Sequence, residues 1–181
     1  MAQSALETFI DTTRAAWGPL TTELVERCSG AMERLAGTPP REPWLAALGE
    51  AASPSTELHR DPDHGFMLLA HTEHAGLYRP PHDHGASWVI YAVLAGEIEM
   101  RTYGRIEDAA GRVRLVRRGA TVLRPGRAEV YLPGDIHDTR CLSASALLLR
   151  FTERDLKLET RLEDRVTRYV EHDGVWTTPA P

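Results

Sequence analysis

Cysteine is scarce in this chain, and long apolar runs are missing. Only Cys28 and Cys141 occur among 181 residues, too few for a disulfide-stapled scaffold. The longest apolar runs, Trp88–Ala95 and Ser143–Leu149, have the length of strands and fall well short of the roughly 18 residues of a membrane-spanning helix. The first residues carry no basic region followed by an apolar run, so no secretory signal is predicted and a reducing cytoplasm is the expected location.

An excess of basic residues is missing as well. Lys and Arg number 21 against 26 Asp and Glu, and the net charge is −5, so neither nucleic acid nor a membrane is expected as a partner. The length and the 42% hydrophobic content fit one globular domain. Eight histidines stand against the two cysteines, which favours imidazole chemistry over thiolate chemistry.

Residues 1–55 are predicted to form a helical segment that packs on the rest of the chain. Apolar residues recur at helical spacing in two stretches, one on each side of the break at Gly18-Pro19. Thr21 or Thr22 is placed to cap the second stretch. A third, short helix is predicted from Pro43, because proline suits a first turn, where its missing N–H costs little.

Residues 56–181 are predicted to form a mainly β domain. Short apolar runs there alternate with glycine and proline, which is typical of an antiparallel sandwich or barrel. The predicted strands are Phe66–His71, Trp88–Leu94, Glu97–Tyr103, Arg112–Val116, Thr121–Leu123, Ala128–Leu132, Thr139–Cys141 and Ala144–Phe151. Turns are predicted at Gly104 and Gly119, among other positions, and Leu156–Val170 is predicted to add one more strand or helix.

Three histidines form a candidate metal site. His82 and His84 are separated by one residue, and on an extended backbone such residues project from the same face. Both imidazoles can therefore reach one metal ion. His137 begins a later strand, and if the two strands lie side by side, three nitrogens converge on one ion. From spacing alone, the alternative is an accidental His-x-His on the surface.

The framing of these histidines resembles the two motifs of the cupin superfamily. Gly-x5-His-x-His-x4-Val-x6-Gly, from Gly76 to Gly96, reproduces the first motif except at Val89, where cupins usually carry a glutamate ligand. Gly-x5-Leu-Pro-Gly-x2-His-x3-Cys, from Gly126 to Cys141, nearly matches the second. The resemblance implies a small antiparallel β-barrel or jelly roll with N-terminal helices, which holds a metal ion at three histidines.

The missing glutamate has a chemical consequence. Three neutral imidazoles leave the 2+ charge of a metal ion uncompensated, so such a site favours an anionic ligand such as a thiolate, enolate, catecholate or carboxylate. They also leave about three positions of an octahedron open, enough for a bidentate substrate and O2. Fe(II) is the expected metal, with Zn, Ni or Mn as the other candidates.

Three-histidine cupins of this arrangement are most similar to thiol dioxygenases, the cysteine dioxygenase and mercaptopropionate dioxygenase group. Those enzymes also place helices before the barrel, carry His-Asp-His as at residues 82–84, and have a non-ligand where Val89 stands. They hold the substrate carboxylate with an arginine shortly before the first barrel strand, which implies that role for Arg60; the alternative is a local ion pair with Asp61 and Asp63. Their Ser-x-His-x-Tyr set is absent from Ser143–Phe151, which implies a metal-dependent oxygenase rather than an enzyme for cysteine itself.

Strand alternation adds candidates around the metal. Tyr91 shares the inward face of Val89, so its hydroxyl is predicted to orient substrate or O2; the alternative is a tyrosine of the barrel core. Cys141 follows His137 inward and is predicted to line the substrate cavity as a small buried residue rather than a nucleophile. Trp88 is predicted either to contact substrate near the mouth of the site or to pack under a helix.

Two other histidines and one aspartate are assigned outer positions. His71 and His74 are three residues apart and cannot both face inward on a regular strand, so surface positions or positions behind the metal ligands are expected. Asp83 should point away from the metal by alternation.

The sequence therefore predicts a non-haem Fe(II)-dependent cupin dioxygenase that oxidises a small anionic, thiol- or carboxylate-bearing substrate with O2. Two alternatives stay open. One is a non-catalytic cupin that binds a metal or a small ligand; the other is a zinc or nickel cupin hydrolase or isomerase whose histidines activate water. A homodimer is a further expectation.

Overall fold

Two antiparallel β-sheets lie face to face, with the N-terminal helices on one outer side. The computed structural model describes residues 3–50, 53–161 and 166–179. The helices are α1 (Ala5–Ala16), α2 (Thr22–Ala36), α3 (Pro43–Glu50) and α4 (Leu156–Arg161). The strands are β1 (Ser55–Arg60), β2 (Met67–His74), β3 (Tyr78–His82), β4 (Val89–Ala95), β5 (Ile98–Glu107), β6 (Val113–Leu123), β7 (Ala128–Tyr131), β8 (Ile136–Cys141), β9 (Ser145–Thr152), β10 (Val170–His172) and β11 (Val175–Thr177). None of the helices in these parts of the chain is long and apolar enough to cross a membrane.

Local signals set the starts of the first two helices. Ser4 caps α1, because its side chain accepts the N–H of Glu7 while the Glu7 carboxylate accepts the N–H of Ser4. Thr21 caps α2 by accepting the N–H of Leu24. Of the two threonines that the sequence leaves open, the structure therefore selects Thr21, and Thr22 is the first helical residue.

Each face of the first sheet packs against a different part of the molecule. The first sheet runs β1-β2-β9-β4-β7 and the second runs β3-β8-β5-β6. The two inner faces meet in an apolar cluster that includes Val93, Met100 and Leu148. The outer face of the first sheet packs on the helices around Leu68 and Phe151. The predicted mainly β, antiparallel fold with N-terminal helices is confirmed.

The turns predicted at Gly104 and Gly119 are wrong. β5 and β6 run through both glycines and form a long hairpin. Their register shifts where Thr102 pairs with Gly119 and the next residue, Tyr103, pairs with Arg117. The extra residue of this bulge lets the ladder continue past a glycine that would otherwise mark a strand end.

β1 and β3 are absent from the strands that the sequence predicts. β3 contains Pro80-Pro81, a pair that reads as a break, and an irregular register between Arg79 and His82 accommodates it. The predicted Leu156–Val170 element divides into α4 and the first residue of β10, while its residues 162–165 lie outside the described parts of the chain.

Candidate metal centre and its cavity

His82, His84 and His137 converge between β3, β8 and the loop before β4. One ligand atom from each lies within 4.8 Å of the others, and Nε2 of His84 is 2.9 Å from Nε2 of His137. Two nitrogens that bind one ion at right angles, each about 2.1 Å away, would be roughly 3.0 Å apart. The imidazoles therefore have the spacing of ligands to a single divalent cation.

Strand pairing places two of these histidines and a loop places the third. His82, at the end of β3, is the register partner of His137 in β8. His84 lies in the loop between β3 and β4, so strand alternation accounts for only part of its direction. The Asp83 carboxylate binds away from the cluster, as the sequence predicts, and accepts the N–H of Thr167 at 2.9 Å. This bond ties the loop to the C-terminal segment.

Burial keeps the three imidazoles neutral. Loss of hydration lowers the pKa of each below its usual range. The charges of Arg150 and Arg168 lower the pKa of His82 and His84 further. Because a neutral imidazole is the form that binds a metal, the cluster does not have to lose protons near neutral pH before it can act as a ligand set.

Hydrogen bonding and stacking orient two of the rings. Nδ1 of His82 lies 2.8 Å from the carbonyl oxygen of Pro80. That oxygen can only accept, so Nδ1 carries the proton and Nε2 keeps the lone pair for a metal. The ring of Tyr131 stacks on His137 at a centroid distance of 3.9 Å. The donor set thus fits a divalent cation in chemistry and in direction.

A cavity of about 510 Å³ opens onto His82 and His84. Its walls come from β3, β9, α4 and residues 166–169. None of its described lining residues is acidic, and the cationic ones are Arg79, Arg150, Lys157, Arg161 and Arg168. The volume falls in the range of small-ligand pockets, about 300–1,000 Å³, and the charge of the lining favours an anionic molecule.

A smaller space of about 40 Å³, the polar chamber, lies behind His82. It is lined by His71, Glu73, Arg79, His82, Tyr91, Thr139, Leu148 and Arg150. Nε2 of His71, Oε1 of Glu73 and Nε of Arg150 find no hydrogen-bond partner among the described residues. Buried polar atoms are rarely left unpaired, and the chamber has room for a water molecule, so we expect ordered water there.

Tyr91 reaches the histidine cluster, whereas Arg60 does not. The Tyr91 side chain is buried, and its ring centroid is 5.3 Å from that of His137. Arg60 is exposed, and its guanidinium is held by Glu57 at 2.9 Å and by Asp155 at 3.0 Å. Its strand, β1, is an edge strand separated from β4 by β2 and β9, so the arginine implied by the resemblance lies outside the cavity lining.

Trp88 and Cys141 also lie away from the cavity. Trp88 packs against Phe151 at a centroid distance of 5.1 Å, on the face of the first sheet that the helices cover, opposite the face of Val89. The sequence leaves open a position for Trp88 at the mouth of the site or under a helix, and the structure places it under the helices. Cys141 is buried between the sheets, and its Sγ donates to the carbonyl of Ser143, outside both cavities.

The placement of Trp88 makes a prediction about stability. Trp88→Phe should lower the free energy of unfolding by roughly 1–3 kcal/mol, because it leaves a void in the core beside Phe151. Metal affinity should be unchanged. Urea denaturation and metal titration of the same preparation measure the two quantities. Weaker metal binding at unchanged stability would place this side chain at the site instead.

His71 lines the polar chamber, while His74 is exposed at the end of β2. The expectation that the two cannot both face inward is therefore confirmed. Burial first, and then the charges of Arg150 and Arg79, lower the pKa of His71 to about 3. The neutral ring is thus the form that the folded chain accommodates.

The lowered pKa of His71 makes stability pH-dependent. The unfolded chain takes up a proton on this residue below about pH 6.5, whereas the folded chain does not until near pH 3. Its contribution is therefore present above pH 6.5 and is lost as the pH falls. Between about pH 7.5 and about pH 5, the unfolding free energy should fall more steeply than in His71→Asn, by up to ~1.4 kcal/mol per pH unit. Denaturation at both pH values, with the exposed His64→Asn as control, measures the slopes; equal slopes for the native chain and His71→Asn would contradict this assignment.

Sequence reasoning missed Arg150 and Arg79. On β9, Leu148 and Arg150 share the inward face, and Arg150 is the register partner of Tyr91 on β4. Charged residues seldom occupy the inward register of an apolar strand unless they are paired or functional. That signal, one arginine within the run 144–151, could have identified Arg150.

Comparisons with known proteins give likenesses of fold only. Neither a protein-family model nor a curated protein sequence matches the chain. Among solved structures, KdgF from Halomonas sp. matches with a TM-score of 0.43 and 20% identity, over 56% of this chain and 81% of that one. The DMSP lyase DddQ from Ruegeria pomeroyi DSS-3 matches with a TM-score of 0.44 and 23% identity, over 57% of this chain and 47% of that one. The cupin domain of Cnp3 from Schizosaccharomyces pombe matches with a TM-score of 0.44 and 13% identity, over 61% of this chain and 69% of that one.

Proposed function

We propose that the chain is a non-haem Fe(II)-dependent oxygenase, similar to thiol dioxygenases, that oxidises a small anionic substrate with O2. One observation carries the proposal. Three neutral imidazoles form the ligand group found among the described residues, without a carboxylate or a thiolate, and they open onto a cavity lined by cations. Both the metal ion at the three histidines and the cations of the cavity wall would attract a negatively charged substrate.

Val89, which stands where cupins usually carry a glutamate ligand, supports the expectation of an anionic substrate. Val89 is fully buried in the apolar cluster between the sheets, so it offers no charge to a metal ion held by the histidines. The compensating charge has to come from the substrate, since an unneutralised charge is costly in a partly dry cavity. When bound, iron supplies the one-electron redox chemistry that lets O2 react with an organic donor.

Arg150 is the residue that we expect to hold the carboxylate of the substrate. It lines both the large cavity, which also contacts His82 and His84, and the polar chamber. Its Nε has no partner among the described residues. A guanidinium binds a carboxylate in a bidentate manner, which fixes both the position and the orientation of the substrate. Arg79 is less available, because it donates to Glu73 at 2.6 Å.

We expect Tyr91 to donate a hydrogen bond beside the cluster. Its ring centroid is 6.2 Å from that of His84. Burial raises the pKa of its hydroxyl, while the charge of Arg150 acts in the opposite direction. The hydroxyl therefore keeps its proton at neutral pH and can donate it in a hydrogen bond to an anionic substrate atom. Together with Arg150 on the neighbouring strand, it supplies polar groups on β4 and β9 where the resemblance has a Ser-x-His-x-Tyr set on one strand.

Apolar and aromatic side chains also line the cavity. Leu156 of α4 and Val166 and Tyr169 of the C-terminal segment belong to its lining. The N–H of Tyr169 binds the carbonyl of Pro81 at 2.9 Å, which holds this segment against the end of β3. A partly dry site strengthens the electrostatic contacts that Arg150 and Tyr91 make.

Oxygen consumption tests the proposal. The protein is reconstituted anaerobically with Fe(II) and mixed with air-saturated buffer and a panel of thiols, catechols and diketones. We expect stoichiometric oxygen uptake with at least one thiol or carboxylate-bearing donor, and none with the His137→Ala variant. Uptake no higher than that of Fe(II) alone across the panel would contradict the oxygenase. Full metal content with tight retention of an unreacted ligand would then favour a binding protein.

A further inference from the structure

We propose that the substrate carries two anionic groups, the second of which is bound at a cationic mouth formed by Lys157, Arg161 and Arg168. The first group is the one that faces the histidines and Arg150, so the inference rests on the proposed function for that end of the cavity. The ligand class is a small dianion, with a carboxylate at the inner end and a carboxylate or phosphoryl group at the outer end.

The cavity has a buried inner end and an exposed outer end, which differ in the solvent exposure of their lining residues. At the inner end, His84 is buried and Arg150 is partly buried. At the outer end, Lys157, Arg161 and Arg168 are exposed. All five line the same cavity of about 510 Å³. One molecule with charges at both ends can therefore contact both sets.

The charge of the cavity departs from that of the whole chain. Acidic residues outnumber basic ones by 26 to 21 in the sequence, yet the described lining of this cavity holds five cations and no acid. Lys157 is the only lysine of the chain. The described part of the lining therefore favours an anion.

The mouth cations are also without salt bridges in the described parts of the chain. Arg60, in contrast, is paired with Glu57 and Asp155. Lys157, Arg161 and Arg168 form no such pair with a described residue. Among the described residues, these three charges are therefore not committed to a salt bridge.

The backbone fixes one of these cations next to the metal centre. Arg168 forms a β-bridge with His82, and its neighbour Thr167 is bonded to Asp83 through both its N–H and its carbonyl. An anionic group at the mouth is thus within a short carbon chain of a donor at the histidines.

Matched ligands of equal length test the second group. Calorimetric titrations of the protein as purified would compare succinate and 3-phosphonopropionate with butyrate, which lacks the second charge, at one ionic strength because screening weakens exposed contacts. We expect a dianion to bind at least about tenfold more tightly than butyrate. Lys157→Met and Arg168→Gln should each lower dianion affinity by a larger factor than butyrate affinity, and so reduce that preference. Arg117→Gln, an exposed arginine on β6 outside the cavity lining, should alter neither.

The single lysine provides a second readout that needs no turnover. An amine-reactive reagent should modify Lys157, and peptide mass spectrometry separates that label from the one on the chain terminus. Succinate or 3-phosphonopropionate should protect Lys157, and butyrate should not. Equal affinities for the dianions and butyrate, or a preference that survives in both Lys157→Met and Arg168→Gln, would overturn the proposal. Because binding is measured without turnover, a failed oxygen-uptake assay would remove the oxygenase and leave this result standing.

Discussion

His137→Ala should weaken metal binding by more than about 100-fold and abolish oxygen uptake. His137 contacts both of the other histidines. Its Nε2 lies 2.9 Å from that of His84, its strand pairs with that of His82, and its ring is fully buried. Even residues that only orient a metal ligand contribute about 10–100-fold to affinity, so removal of a ligand from a group of three should cost more. Titration with Fe(II) under anaerobic conditions measures the change.

A matched variant separates ligation from general damage. His74→Ala removes an exposed histidine from the end of β2 and should keep both metal affinity and oxygen uptake within about twofold of the native values. Circular dichroism of both variants checks that the fold persists. Native-like metal affinity in a folded His137→Ala protein would contradict the three-histidine centre.

Arg150→Gln should lower kcat/KM for the preferred substrate by at least roughly thirtyfold. Removal of one partner from a buried, charged hydrogen-bonded pair costs about 2–5 kcal/mol, and Arg150 is the partly buried cation at the inner end of the cavity. The loss should appear mainly in KM if the guanidinium only binds the carboxylate, and in kcat as well if it also aligns the donor. Arg150→Lys keeps the charge but loses the bidentate geometry, so it should recover only part of the activity.

Arg60→Gln is the informative comparison for that experiment. The family resemblance implies that Arg60 is the carboxylate clamp, whereas the structure holds it at an edge strand through Glu57 and Asp155. We expect its kcat/KM to stay within about twofold of the native value. A large loss in Arg60→Gln with normal activity in Arg150→Gln would reverse the assignment.

The difference between these two arginines shows which parts of the site the sequence could predict. His82, His84 and His137 were predictable because a two-residue period and two spaced motifs specify them locally. Arg150 was not found because its role depends on the pairing of β9 with β4, which brings it opposite Tyr91. The resemblance implies Arg60 because it precedes the first predicted strand, whereas the structure has it in β1, an edge strand whose position depends on the sheet order.

Face assignment explains the remaining differences. Trp88 and Val89 are neighbours in sequence, yet adjacent strand positions point to opposite faces, so Trp88 joins the helix-covered core while Val89 joins the inter-sheet cluster. Strand alternation also explains His71, since this residue and Glu73, two positions further along β2, both line the polar chamber. The helices were easier to predict, because Thr21 and the apolar spacing act within one or two turns. Contacts that depend on strand order across the whole chain need the fold.

The native metal content tests the central claim most directly. The chain is expressed in iron-replete cells, purified without oxygen or chelator, and analysed for metals by mass spectrometry. Affinity alone does not select iron over zinc or nickel, so the metal must be determined in the protein as it is made. We predict about one iron per chain, lost in His137→Ala and kept in His74→Ala. Zinc or nickel at one per chain, or no metal at all, would contradict an iron oxygenase at the three histidines.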